Sequence, residues 1–190
     1  MSVFAIILLA IAAIAAAYGV LIYNSLVSVK HNVSKAWANI DVLLKQRHDE
    51  IPKLIEVCKQ YRQFEQDTLE RVIAARSKVF AASHTQNMPL LGQAETQLRG
   101  SLSGLFAVAE AYPDLKTNEQ FIHLQTRIAG LENAIADRRE FYNESVNINN
   151  VRVEQFPDGL IASMFAFPPR QLLQFSDNEK ADVDVKQLFA

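Results

Sequence analysis

The stretch Leu26-VSVKHNVSKAWANIDVLLKQRHDEIPKLIEVCKQYRQ-Phe64 decides the fold. Its apolar residues step by three and four. One row, at intervals of seven, holds Leu26, Val33, Ile40, Leu54 and Tyr61, with Arg47 in the missing slot. A second holds Val29, Ala36, Leu43, Val57 and Phe64, with Glu50 in its missing slot. Heptad patterning of this kind belongs to a helix packed on other helices. Leu69, Val72, Ile73, Val79 and Phe80 extend the predicted helix to about Ala82. Pro52 interrupts the run. It has no N–H to donate and crowds the preceding turn, which predicts a kink. A full break, with Asp49 capping a new helix, is the alternative. The register runs straight through Pro52 and favours the kink.

Upstream, Val3 to Ile22 contains no charged residue. A helix of that length spans about 30 Å, the thickness of a bilayer's hydrocarbon core. Tyr18 and Tyr23 lie near its far end, where aromatic rings favour the headgroup level. A cleaved signal peptide would need a basic start, and Met1-Ser2 supplies no basic side chain. Residues 1–23 are therefore expected to be a retained transmembrane anchor, with the bilayer as partner through residues 3–22. Lys30, Lys35, Lys45 and Arg47 all follow the span. The excess of positive charge on that side predicts an outside N-terminus and a cytosolic main domain.

Downstream, the turn-like Ser83–Pro89 precedes a predicted helix from about Leu90 to Tyr112, with Leu91, Ala94, Leu98, Leu102, Leu105 and Ala109 on one face. Pro113-Asp114 ends it, and Thr117 with Gln120 fits a capping box for the next helix. That helix carries the stripe Phe121, Leu124, Ile128, Leu131, Ile135, Arg138 and Tyr142. Val151-Arg152-Val153 alternates like a short strand but has no evident partner strand. Asp158 is placed to cap a short apolar helix halted by Pro168-Pro169. The expected fold is all-α: an N-terminal transmembrane helix followed by an antiparallel bundle of long helices. The expected division is an anchor at 1–23, a bundle at 24–157, a short apolar helix with a Pro-Pro turn at 158–175, and a mobile polar tail at 176–190.

The formal charge of −2 argues against nucleic acid as a partner. A single cysteine, Cys58, excludes an intrachain disulfide and a cysteine-built zinc site, and reads as a small buried hydrophobe. None of His31, His48, His84 and His123 stands in Glu-x-x-His spacing, so the di-iron bundle pattern is missing. Gly100-Ser-Leu-Ser-Gly104 has leucine where a nucleophile elbow needs serine. No catalytic, cofactor-binding or metal-binding residue emerges. Two clusters remain. Arg47 and Glu50 sit on inward-facing slots, with Asp41 nearby and Arg138 on a second core stripe. They form a candidate polar core or interaction layer, since a charge on a seam is costly unless paired. The plain alternative is a solvated i,i+3 pair. Leu160, Ile161, Met164, Phe165 and Phe167 form a candidate exposed apolar contact, against the plainer reading of a lid on the bundle.

Several runs resemble the LemA family: Tyr23-Asn24-Ser-Leu-Val, Ala36-Trp37, Ile40-Asp41-Val42 and Lys45-Gln-Arg47-His-Asp49-Glu-Ile51-Pro52-Lys-Leu54. So do Ala111-Tyr112-Pro113-Asp114-Leu115-Lys116, Leu131-Glu132-Asn133, Tyr142-Asn143 and Phe156-Pro157. The resemblance runs in order from the anchor to about Phe167. It implies a single-span bacterial inner-membrane protein with a cytoplasmic helical bundle and no established catalytic residues. Relatives in magnetosome-forming bacteria hint at membrane organisation. The expected function is thus a non-enzymatic, membrane-anchored scaffold without cofactors, a homo-oligomer or an organiser of membrane proteins. The alternative is an adaptor that delivers substrates to a membrane protease or quality-control enzyme.

Overall fold

Helix α1 runs from Val3 to Lys59 without interruption, through Pro52. The computed structural model describes residues 3–61 and 64–174. A proline inside a helix leaves the carbonyl four residues earlier without its donor. Here that carbonyl belongs to His48, and Arg76 Nε donates to it at 2.9 Å. A side chain from the next helix thus replaces the missing backbone bond, and the helix passes the proline intact.

The break that Pro52 does not cause comes after Lys59, where α1 ends. Gln60 and Tyr61 close the last turn of α1 onto the carbonyls of Val57 and Cys58, and α2 begins at Gln66. The expected single helix to Ala82 is therefore two helices, α1 and α2 (Gln66–His84). The apolar spacing resumes in α2 because both helices face the same core, so periodicity alone did not mark the turn. Gln86 takes a positive φ of 49° and ends α2. Asn87 accepts from Leu90 N–H at 3.1 Å and opens α3 (Met88–Ala109), with Pro89 in its first turn.

A single turn, α4 (Pro113–Lys116), buries Leu115 and leads to α5 (Glu119–Glu154). The cap of α5 is Asn118, not the expected Thr117. Asn118 Oδ1 accepts from the N–H groups of Gln120 and Phe121 at 2.9 and 3.0 Å. The Thr117 hydroxyl instead donates back to the Pro113 carbonyl. Val151-Arg152-Val153 lies within α5, so the suggested strand is helix, and the described residues contain no strand. After a cis Phe156-Pro157 bond, α6 (Asp158–Met164) closes the described helices. The suggested tail at 176–190 lies outside the described residues.

The chain divides into two compact units. In the unit that holds residues 41–136, α2 packs beside α3, and Lys78 reaches Gln97 across that pair at 3.0 Å. The core there is Ile51, Leu54, Val72, Ala75, Leu91, Leu98, Leu105 and Ile128. Cys58 is part of it, and burial pushes its thiol up to about 12. Arg47 pairs with Glu132 and Glu50 with Arg127, so α1 and α5 run antiparallel in this unit. The second unit comprises residues up to Ile40 and Asp137–Leu172. In it Trp37 meets Tyr142 edge-on at 6.0 Å and Arg152 donates to Ser25 at 2.9 Å, so α1 and α5 are antiparallel there too.

Candidate functional site

Arg47 is the largest side chain among those sealed from solvent, at 1% exposed. It projects from α1 between α3 and α5. Its Nη2 pairs with Glu95 and its Nη1 with Glu132. Glu95 is 2% exposed, and Glu132 also accepts from Arg99 Nε at 3.2 Å. Two guanidinium groups and two carboxylates thus form one balanced cluster. Burial alone would drive Arg47 toward losing its proton, but the two carboxylates outweigh it and the net direction is upward. Burial pushes the Glu95 carboxyl up, and Arg47 pulls it back only in part. The difference is physical: Arg47 faces two opposite charges, whereas Glu95 also feels Glu132. Arg47 Nε is buried without a hydrogen-bond acceptor, so the cluster is not fully satisfied.

Glu50 lies one turn further along α1. It is buried and pairs with Lys53 at 3.1 Å and with Arg127 of α5 at 3.0 Å. The structure therefore assigns Arg47 and Glu50 to two separate clusters, and neither pairs with the other. Asp41 and Arg138 do not join them; both are exposed. Arg138 stands at the flank of its stripe, where a long charged side chain reaches water more cheaply than it enters the core. Glu95 and Glu132 supply the partners that the sequence reading did not name. Glu95 falls on the apolar face of α3, four residues after Leu91 and three before Leu98, and that placement was the available signal.

Beside the cluster lies a groove of about 340 Å³ lined by Leu102, Phe106, Ile128 and Ala129, with Arg99 and Glu132 at its edge. Among the described residues no group of three or more His, Cys, Asp or Glu side chains is arranged to hold a metal. The carboxylates of the cluster are already engaged by arginines. The arrangement joins α1, α3 and α5 through ion pairs.

A second constellation lies in the other unit. Ile22 and Leu26 of α1 pack on Ala162 of α6, with Val153, Ile161 and Phe167 around them. Tyr23 meets Phe165 and Phe167 edge-on at 4.8 and 5.8 Å. Asp158 is buried, pairs with Arg152 and accepts from Gln155 at 3.1 Å. Ala166 takes φ 53°, turning the chain so that Phe167 comes back onto Tyr23. Of the five predicted apolar residues, Ile161 and Phe167 are half-buried against α1, whereas Leu160, Met164 and Phe165 face outward.

The fold and these clusters define an all-α bundle protein whose first helix is long and apolar enough to cross a membrane. The sequence model of the LemA family matches residues 36–187, and the chain belongs to that family. Protein LemA of Metamycoplasma hominis is 27% identical over 167 residues, covering 87% of this chain and 74% of that protein. Magnetosome protein MamQ 2 of Paramagnetospirillum magneticum is 22% identical over 190 residues, covering 88% and 70%. Magnetosome protein MamQ of Magnetospirillum gryphiswaldense is 22% identical over 168 residues, covering 76% and 62%. With the apolar helix, these relatives mark a membrane-associated protein.

Proposed function

We propose that this protein is a non-enzymatic scaffold, held in a bacterial inner membrane by one span at residues 3–22. In this reading its N-terminus is outside and its bundle is in the cytosol. One observation carries the reading. The uncharged part of α1 is exposed along nearly its whole length, and the same helix continues without a break into a packed core. Water would not tolerate that exposed apolar rod, and lipid would. Self-association draws support from Phe141, Ile148 and Val151, apolar residues on one side of α5 that are about half exposed. Anchoring in two dimensions raises local concentration, so even weak helix contacts would assemble copies.

An impermeant thiol reagent applied to intact cells tests the topology: it should label Ser2→Cys and not Lys116→Cys, and the reverse result overturns the orientation. Cross-linking in native membranes should give species larger than one chain. Solubilised protein that stays monomeric, with no cross-linked species, removes self-association. The adaptor reading draws on the groove beside Arg99 and Glu132. Affinity capture in mild detergent separates the two, since a dominant protease partner favours the adaptor.

A further inference from the structure

The apolar segment at 156–167 has two sides with different fates. Its inner side is packed on the end of the span proposed at residues 3–22 of α1. A methyl group placed on Gly19 would lie 3.8 Å from Ile161 Cδ1, and Ile22 is buried against the same segment. Gly19 falls three residues before the end of the proposed span at 3–22, or about 4.5 Å inside its boundary at the helical rise. The outer side is bare. Phe156 is 83% exposed, Met164 75%, Leu160 61% and Phe165 54%. Residues 159–169 contain no charge. The one charge in α6, Asp158, is buried and neutralised by Arg152. The nearest flanking charges are Glu154 and Arg170.

We propose that Phe156–Phe167 is a second membrane contact, an interfacial wedge that inserts Phe156, Leu160, Met164 and Phe165 into the leaflet from which α1 emerges. The proposal rests on α1 being the anchor. Its occupant is lipid, because the wedge is continuous with the apolar surface of the anchor's last turn and lies at that depth. Interfacial apolar elements enter about 5–10 Å, which matches a segment packed on Gly19 and Ile22. Arg170, exposed just beyond the segment, then stands at the water side, within reach of lipid phosphates.

The test uses the full chain in vesicles of phosphatidylcholine and phosphatidylglycerol. A nitroxide is attached in turn to Leu160→Cys, Met164→Cys, Ile11→Cys and Gln93→Cys. Cys58 is buried and its thiol is pushed up to about 12, so it stays unlabelled. Collisions with oxygen, which concentrates in lipid, are compared with those of a water-soluble nickel chelate. The logarithm of the oxygen-to-nickel ratio should be positive at 160, 164 and 11, and negative at 93. A negative value at 160 and 164 with a positive value at 11 overturns the wedge and leaves the anchor standing. Low collision with both reagents at 160 and 164 also overturns it, because protein then covers the patch. A negative value at 11 removes the anchor and the wedge together. Phe156→Cys repeats the test at the most exposed site, where the substitution disturbs no core packing.

Discussion

Two arginines in this molecule are drawn into the protein in different ways. Arg47 is sealed among three helices and faces two carboxylates, with one N–H left without an acceptor. Arg152 is partly open to solvent, pairs with the single carboxylate of Asp158 and donates to Ser25. The first fixes a core. The second fastens one short helix onto the end of another. The comparison teaches that a buried charge specifies position in proportion to the partners that would be stranded without it.

The largest effect should come from Arg47→Ala. It leaves the buried Glu95 without its paired cation and Glu132 with Arg99 alone, a loss of about 3–5 kcal/mol in global stability. Urea unfolding of the detergent-solubilised full chain measures it. Replacing Arg47, Glu95 and Glu132 together with Met or Leu should recover most of that loss. If the triple variant is no better than the single one, the cluster is not the source of the cost.

Arg152→Ala should be milder and local. Asp158 keeps only Gln155 as a partner, and leaving such a group short costs about 1–3 kcal/mol. Amide exchange should quicken in 158–164 while α2 and α3 keep their protection. Uniform loss of protection would erase the distinction between the two arginines.

A third arginine, Arg76, should contribute less than either. Arg76→Met removes the donor to the His48 carbonyl and should cost about 1 kcal/mol, within the range for a net hydrogen bond. Exchange should quicken around residues 48–53, and Arg76→Lys should restore part of the protection.

The smallest effect is one of pH. Burial and the neighbouring Arg76 hold His48 below its ordinary value of 6.5, against a weaker upward pull from Asp49. Arg76 Nη2 lies 2.6 Å from His48 Nε2, an arrangement that suits the neutral ring. Phe80 stacks on His48 and meets His84 edge-on. A group depressed on folding stabilises the protein above its unfolded pKa, and that contribution is lost as pH falls through the folded value. The melting temperature should therefore drop below about pH 6.5, and less so in His48→Gln. Equal drops in both proteins would show that His48 has no part in it.

The helical periods and the core were legible because they rest on local spacing. Val33, Ile40, Leu54 and Val57 are buried where the heptad puts them. The break after Lys59 was not legible, since α2 resumes the apolar spacing after the turn. The inward placement of Arg47 and Glu50 was legible for the same reason as the core. Their partners were not, because a heptad says which way a residue faces and not which distant carboxylate meets it. Glu95 and Glu132 come from helices about fifty and eighty-five positions away.

Pro52 has a consequence for how the protein is made. Its substitute donor, Arg76, lies later in the chain. While the ribosome has issued only the first helix, the His48 carbonyl has nothing but water to bond. The turn before Pro52 therefore gains its side-chain substitute for the missing bond only after α2 has folded back onto α1.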